Sequence, residues 1–171
     1  SEQFGVVDIL VNNAGIYAFA PVDQVEVEMW DKLFATNVRG AFLCVQGALP
    51  LMQKAGGGKI INISSSTFFM GLPHLSAYVA TKGALVGMSR SLASELAEFN
   101  IQVNVITPGI VETKGMADAG VDQAFIDAIV QQQCVKRLEK PSDLVGTAVF
   151  LASAQSNFIT GQLLNVDGGL V

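Results

Sequence analysis

Hydrophobic residues occur along this chain in two alternating patterns, short continuous runs and longer stretches with helical spacing. Four short runs, each followed by small or polar residues, predict buried strands. These strands are expected at Val6–Val11, Lys59–Ile63, Ile101–Ile106 and Gln162–Val166. In the longer stretches, apolar residues recur every three or four positions, which predicts helices. The helices are expected at Glu26–Met52, Ala77–Phe99, Ala124–Gln133 and Ser142–Ala152, with Ser142 as the N-cap of the last one.

The alternation of strands with helices predicts an α/β fold, a parallel sheet with helices on both faces. All 171 residues are expected to form one domain, because half of them are hydrophobic and fill one sizeable core. In such sheets, ligands bind beyond the carboxyl ends of the strands. Ligand-binding residues are therefore expected in the segments Asn12–Gly15, Ser64–Ser66, Thr107–Ile110 and Asp167–Gly169.

Composition and charge exclude several classes of function. Ten Lys and Arg against fifteen Asp and Glu give a net charge of −5, and no basic stripe is present, so nucleic acid is not an expected partner. No apolar run reaches the roughly 18 residues that a membrane span needs, and Leu144–Ala154 is expected to be a buried helix. Cys44 and Cys134 have no metal-binding spacing and are expected to be buried free thiols in a reducing cytoplasm. No metal site is expected.

Tyr78 and Lys82 form the sharpest chemical feature of the sequence. Residues four apart on a helix share a face, so the phenol and the ammonium group lie side by side. A nearby cation favours the phenolate, which makes a tyrosine usable as an acid or base near neutral pH. Ser65 lies thirteen residues earlier, at the end of a predicted strand. Spacing alone leaves open which of Ser64, Ser65 and Ser66 faces the cleft, and a Tyr–Lys pair of this spacing also occurs by chance.

Six motifs occur in one order along the chain. They are Asn12-Asn13-Ala14-Gly15, Asn37-Val38-x-Gly40, Ile61-Asn62-Ile63-Ser64-Ser65, Tyr78-x-x-x-Lys82, Asn104-x-x-x-Pro108-Gly109 and Asn165-x-Asp167-Gly168-Gly169. Together they resemble the short-chain dehydrogenase/reductase family over essentially the whole chain. The resemblance implies a Rossmann-like, doubly wound parallel sheet and an oxidoreductase that interconverts a secondary alcohol and a ketone.

The resemblance also implies a role for each catalytic residue. Tyr78 is the expected acid/base, and Lys82 is expected to lower the pKa of the tyrosine and to bind the nicotinamide ribose. Ser65 is expected to polarise the substrate oxygen. Asn37, inside the first long helix, is expected to hold a water molecule that links Lys82 to solvent.

Hydride transfer needs a nicotinamide cofactor, NAD or NADP, because no side chain can perform it. By resemblance, the cofactor is expected to contact Tyr78, Lys82 and the turns after two strands. The expected turn residues are Asn12, Asn13, Ala14, Gly15, Pro108, Gly109, Ile110 and Thr113.

The glycine-rich Thr-Gly-x-x-x-Gly-x-Gly turn with which the family binds pyrophosphate does not occur in this sequence. The chain therefore resembles the C-terminal two-thirds of the family's fold, and a longer polypeptide is expected. The residue that selects NAD or NADP belongs to the missing part, so the cofactor preference stays open. Val6–Val11, a central strand in the family, is expected to form an exposed apolar edge.

The loop Thr67–Leu75 is apolar and aromatic, which favours a hydrophobic alcohol or ketone as substrate. Phe68 and Phe69 could equally pack beneath that loop, and His74 is expected to be solvated. Lys114–Gln133 is expected to form a mobile lid, with Lys114 in solvent. The two long helices resemble those that form the dimer faces of tetramers in this family, so a homo-oligomer, a dimer or tetramer, is expected.

Three alternatives to an alcohol dehydrogenase or ketone reductase stay open. The nearest is a 3-oxoacyl-thioester reductase of the same family. An isomerase or lyase can use the same Tyr-x-x-x-Lys pair. A catalytically incompetent or scaffold member is the third, although Asn37, Ser65, Tyr78 and Lys82 are all present.

Overall fold

The structure, a computed structural model, describes residues 5–113, 116 and 121–171. Its strands are β1 Ile9–Asn12, β2 Gly58–Ile63, β3 Ile101–Pro108 and β4 Leu163–Val166. Its helices are α1 Val27–Phe34, α2 Gly40–Ala55, α3 Thr67–Met70, α4 Ser76–Glu95, α5 Gln123–Gln132 and α6 Pro141–Ala152. A π-helical segment, Ala35–Arg39, joins α1 to α2. The predicted strands and helices are present, with ends that differ by a few residues. Two points differ further: the helix predicted at Glu26–Met52 is two helices joined by this π-helical segment, and the predicted loop Thr67–Leu75 contains α3.

The strands form a parallel sheet in the order β1-β2-β3-β4. Parallel neighbours need long crossover connections, and the helices between the strands provide them. β1 lies at one edge of this sheet, and Ile9 and Val11 on it are about half exposed. The predicted exposed apolar edge is therefore confirmed for the part of the chain that the structure describes.

Helices cover both faces of the sheet, as the alternation of elements predicts. Successive residues of a strand point to opposite faces, so Ile60 and Ile61 on β2 belong to different cores. Ile60 packs with Val45 and Met52 of α2 and with residues of α4. Ile61 packs on the other face with Leu151 of α6.

Two expectations about burial are wrong. Leu144–Ala154 is not a buried helix, since α6 presents Val145 and Val149, each more than half exposed, away from the sheet. Cys44 and Cys134 are free thiols as expected, but both are exposed. On α2 the core-facing residue is Val45, and the neighbouring position 44 is rotated by about 100° away from it.

The start of α6 also differs from the prediction. Its N-cap is Lys140, Pro141 occupies the first helical position, and Ser142 lies inside the first turn. The Asp143 carboxylate accepts a hydrogen bond of 2.7 Å from the Lys140 amide and pairs with Arg137 at 2.6 Å. Pro141 suits the first helical position, because its ring fixes φ near the helical value and the nitrogen at that position has no partner within the helix.

Among the described residues, the helices are all too short or too polar to cross a bilayer.

Candidate active site

The carboxyl ends of the strands open into a cavity of about 400 Å³. Asn13 and Gly15 line it from the turn after β1, and Ser65 from the turn after β2. The segment after β3 contributes Pro108, Gly109, Ile110 and Thr113, and α4 contributes Tyr78 and Lys82. The strand-end position of the site is therefore as the sequence predicts.

Tyr78 and Lys82 lie one turn apart at the start of α4, and both are largely buried. The Lys82 ammonium lies 5.4 Å from the centre of the Tyr78 ring and donates a hydrogen bond of 2.9 Å to the carbonyl of Ile63. That carbonyl ends β2, so the strand fixes the position of the lysine. Burial lowers the pKa of Lys82 to about 8.

Burial raises the pKa of Tyr78, the hydrogen bond with the Ser65 side chain lowers it, and Tyr17 raises it further. The net shift is upward, and the expected lowering of the Tyr78 pKa by Lys82 stays a prediction. Lys82 lies over the ring and is hydrogen-bonded to Ile63, so loss of hydration dominates at the phenol. The phenol is therefore held in its protonated form, ready to donate.

Of the three consecutive serines, the structure brings Ser65 to Tyr78. Ser65 Oγ accepts hydrogen bonds from the amide and the hydroxyl of Thr67, at 3.2 and 2.9 Å. A hydroxyl has two acceptor sites and one hydrogen, so these bonds leave the hydrogen free to point at Tyr78. Ser64 Oγ instead donates to the carbonyl of Lys82 at 3.0 Å, and the Ser66 amide donates to the carbonyl of Pro108 at 2.8 Å.

Asn37 lies in the π-helical segment and is only 1% exposed. Its Nδ2 donates to the carbonyl of Ile16 at 2.8 Å and to Thr81 Oγ1 at 3.0 Å, and its Oδ1 accepts from the Ile16 amide at 2.8 Å. The side chain thus ties the turn after β1 to α4. Both amide hydrogens are engaged, so a relay water would have to bind another atom of Asn37, and this role stays a prediction.

The turn after β1 is only partly a lining segment. Asn13 and Gly15 line the cavity, whereas Asn12 Nδ2 donates to Asn62 Oδ1 on β2 at 2.8 Å. Asn12 therefore belongs to the sheet, and Ala14 is also outside the lining set. A Cβ atom on Gly15 would lie 3.5 Å from Lys82 Nζ, so the glycine leaves the space in front of the lysine open.

The segment after β3 contacts a buried acid, Glu139, that lies just before α6 and that sequence reasoning missed. The Gly109 amide donates to Glu139 Oε2 at 2.8 Å, and burial raises the pKa of Glu139 from 4.5 to about 7. In sequence, Glu139 stands among charged residues and resembles a solvated acid, so no signal in the pattern distinguishes it. Lys114, the expected solvated lysine of the lid, lies outside the described residues, while α5 forms the later part of that segment.

A row of aromatic rings along the cavity was also not predicted. Tyr78 contacts Tyr17 edge-to-face with ring centres 6.1 Å apart, and Tyr17 contacts Phe19 at 6.0 Å. Phe19 then meets Phe125 of α5 at 6.4 Å. These rings come from three distant segments, so no local periodicity in the sequence could reveal the row.

The loop after β2 contributes less aromatic surface to the cavity than its sequence predicts. Thr67, Met70, Leu72 and Leu75 line the cavity. Phe68 lies outside the lining, close to Gly83 of α4, and Phe69 is also outside it and about half exposed. His74 is exposed and does not line the cavity, in agreement with its predicted solvation.

A family model described as Enoyl-(Acyl carrier protein) reductase matches residues 1–171. Dehydrogenase/reductase SDR family member 4 of Caenorhabditis elegans is 40% identical over 173 residues, which cover 99% of this chain and 66% of the relative. The chain belongs to the short-chain dehydrogenase/reductase family.

Two further relatives show the range of this family. The 3-oxoacyl-(acyl-carrier-protein) reductase of Staphylococcus epidermidis is 39% identical over 169 residues, covering 99% of this chain and 68% of the relative. The crystal structure of a gluconate 5-dehydrogenase from Burkholderia cenocepacia, in complex with NADP and tartrate, matches with a TM-score of 0.94 and 40% identity. That match covers 99% of this chain and 66% of the neighbour.

These matches confirm the family and the Rossmann-like α/β fold class expected from the motifs. The chain spans about two-thirds of the length of the relatives that it matches. The described residues form a four-stranded parallel sheet, and the relatives are named as oxidoreductases.

Proposed function

We propose that this chain carries the catalytic part of an NAD(P)-dependent oxidoreductase that interconverts a secondary alcohol and a ketone, with Tyr78 as acid/base. The observation that carries the proposal is the meeting of three side chains at one cavity wall. Ser65 is hydrogen-bonded to Tyr78, and the Lys82 ammonium lies 5.4 Å from the ring of that tyrosine. We also propose that the described residues belong to one domain.

The residues around the cavity fit a nicotinamide cofactor. Gly15 leaves space in front of Lys82, whose ammonium is positioned to bind ribose hydroxyl groups. Ile110 and Thr113 give the opposite wall an apolar and a hydrogen-bonding surface for the nicotinamide ring and its carboxamide. The cofactor, when bound, supplies or accepts the hydride. NADP is the cofactor named with the gluconate 5-dehydrogenase neighbour, and the proposal leaves both NAD and NADP open.

The side chains then handle the proton. In the reducing direction, the Tyr78 hydroxyl donates its proton to the carbonyl oxygen of the substrate as that oxygen gains charge, and the Ser65 hydroxyl donates a hydrogen bond to the same oxygen. Burial, which keeps Tyr78 protonated, favours this donor role. Lys82, protonated below about pH 8, stabilises the phenolate that remains.

The substrate proposed is a hydrophobic ketone or alcohol. Apart from Lys82, the described residues that line the cavity carry no charged side chain, and many are apolar or aromatic. Examples are Tyr17, Phe19, Met70, Leu72, Phe125 and Leu144. Burial of apolar surface contributes about 25 cal/mol per Å², so such a wall favours an apolar group over a polyhydroxylated one.

Reduction of a 3-oxoacyl thioester is the second candidate. It is supported by the Staphylococcus epidermidis relative and by the acyl-carrier name of the family model. A thioester of this kind also has an apolar chain beside its ketone, so the lining suits it too.

A homo-oligomer is part of the proposal. α2 exposes Phe42 and Leu43, large apolar side chains on the helix that the family uses for dimer faces. Apolar side chains of this size on an exposed helix face favour a partner surface. Light scattering of the purified chain gives the assembly mass directly.

The test is hydride transfer in the purified protein. We would follow NADPH and NADH oxidation with acetophenone, acetoacetyl-CoA and 5-ketogluconate, in the wild type and in Tyr78→Phe. The proposal expects turnover of acetophenone, a preference over 5-ketogluconate, and loss of nearly all turnover in Tyr78→Phe with unchanged folding. A preference for acetoacetyl-CoA would favour the second candidate, and full activity of Tyr78→Phe would overturn the mechanism.

A further inference from the structure

Glu139 connects to the cavity wall after β3 by both its side chain and its backbone. Oε2 accepts a hydrogen bond of 2.8 Å from the Gly109 amide. The backbone carbonyl of Glu139 accepts another of 2.8 Å from Glu112, and Val111 forms a parallel bridge with Glu139. One residue therefore holds the wall at three positions, Gly109, Val111 and Glu112.

The Glu139 carboxylate is buried, although charged residues stand near it in the sequence. Glu139 is only 5% exposed, and Oε1 is buried with no hydrogen-bond partner among the described residues. A Cβ atom on residue 109 would lie 3.1 Å from Oε2, so the approach depends on that residue being glycine. Burial of a carboxylate with one unsatisfied oxygen is costly, which indicates that the position has a function beyond packing.

The neighbouring charges oppose each other. The net pKa of Glu139 is raised to about 7. Burial is the largest cause, and the carboxylates of Asp143 and Asp167 also raise the pKa, whereas the Gly109 hydrogen bond and Arg137 lower it. Arg137 makes two hydrogen bonds to Asp143, at 2.6 and 2.8 Å, so its charge is largely compensated there. Glu139 therefore changes charge close to neutral pH.

We propose that Glu139 is a positioning residue, whose carboxylate holds the Gly109 amide and thereby sets the cavity wall from Gly109 to Glu112. The ionised side chain holds the wall firmly, because hydrogen bonds to a charged acceptor are about twice as strong as neutral ones. The protonated side chain holds it more loosely. The consequence for cofactor binding rests on the proposed function, in which this wall contacts the nicotinamide.

The direct test is the backbone amide signal of Gly109 in the ¹⁵N-labelled protein, followed by NMR from about pH 5.5 to 8.5. The wild type is expected to show a titration centred near pH 7, and Glu139→Gln, which keeps an acceptor oxygen without the charge, is expected to show none. Glu112→Gln removes an exposed carboxylate from the same wall and is expected to titrate like the wild type. An unchanged Gly109 titration in Glu139→Gln, or none in the wild type, overturns the proposal.

A second readout follows the cofactor. The Kd of NADPH, measured by its fluorescence, is expected to weaken about fivefold as the pH falls through 7 in the wild type and in Glu112→Gln. Glu139→Gln is expected to lack this step while it keeps any step near pH 8 from Lys82. The same step in Glu139→Gln contradicts the positioning role. Absence of NADPH binding in every protein contradicts the proposed function instead, and the NMR titration still decides the role of Glu139.

Discussion

Ser65 and Tyr78 are joined by a side-chain hydrogen bond, although one follows β2 and the other begins α4. Thr67 occupies both acceptor sites of the Ser65 hydroxyl, so the hydrogen of that hydroxyl is directed at the phenol. In the proposed function, a substrate oxygen that binds between the two side chains receives the Tyr78 hydrogen, and the Ser65 hydrogen turns from the phenol to that oxygen. This relationship separates Ser65 from its two neighbours and makes them natural controls.

Ser65→Ala is expected to lower kcat by about 100-fold, because one donor to the developing oxyanion is lost. Ser64→Ala is expected to have a smaller effect on kcat, since Ser64 donates to the backbone of Lys82 and not to Tyr78. The pH profile of kcat in Ser65→Ala should also move to higher pH, because the hydrogen bond that lowers the pKa of Tyr78 is gone. Steady-state kinetics of the alanine variants at all three serines measures these effects. A larger loss of kcat in Ser66→Ala than in Ser65→Ala would show that Ser65 is not the donor to the substrate oxygen.

Lys82 is expected to destabilise the fold near neutral pH. Burial lowers its pKa from 10.5 to about 8 in the folded chain, so the folded state disfavours the charged form. The contribution of Lys82 to stability is therefore least favourable below pH 8 and becomes more favourable as the pH increases from about 8 to 10.5, by up to about 3 kcal/mol. Lys82→Met removes this dependence.

The measurement is urea unfolding of the wild type and Lys82→Met at about pH 7 and pH 10. Relative to the wild type, Lys82→Met should be more stable at pH 7 than at pH 10. This difference should be visible although the variant loses the hydrogen bond to Ile63 at both pH values. Lys54→Met, at an exposed lysine on α2, is the control and should show no such difference. Equal differences at both pH values for Lys82→Met would mean that the lysine is not desolvated in the fold.

Asn37 is expected to contribute more to stability than an ordinary helical asparagine. Asn37→Ala removes the partner of the amide and carbonyl of Ile16. It also removes the donor to Thr81 Oγ1, although that hydroxyl keeps its own bond to the Tyr78 carbonyl. Unpaired buried groups cost about 1–3 kcal/mol each, so a loss of a few kcal/mol is expected. Thr81→Val removes only one of these bonds and should cost about 1 kcal/mol.

Thermal unfolding of the two variants tests this ranking, and their kcat values add a second comparison. If Asn37 also relays protons, kcat falls in Asn37→Ala at temperatures where the variant is fully folded, while Thr81→Val stays close to the wild type. Equal stability of the two variants would show that the bonds to Ile16 contribute little.

The sequence predicts those features that depend on local periodicity or on a strand end. The four strands, the long helices and the position of the Tyr78–Lys82 pair follow from spacing, because each is fixed by residues close together in the chain. The outward position of Cys44 and the sheet contact of Asn12 depend on which side a neighbouring element packs, and that information is not local. Glu139 is the clearest case, since its carboxylate is held by the Gly109 amide from another segment.

The aromatic row along the cavity is expected to determine how large a substrate the site prefers. Phe19 and Phe125 come from different segments and meet at 6.4 Å, at the far end of the row that starts at Tyr78. A group attached to the reacting carbonyl can pack along these rings, and aromatic contacts contribute about 0.5–1.5 kcal/mol beyond their buried area. Phe69, which is exposed and outside the lining, is a matched control.

Phe19→Ala and Phe125→Ala are therefore expected to raise KM for acetophenone about tenfold, because the aryl group loses a packing partner. KM for butanone, which is too small to reach the far end of the row, should change little, and so should KM for NADPH. Phe69→Ala should leave all three KM values unchanged. An equal rise in KM for acetophenone and butanone in Phe19→Ala would show that the ring supports the cavity wall and does not contact the substrate. Only a direct contact makes the effect on KM depend on the size of the ketone.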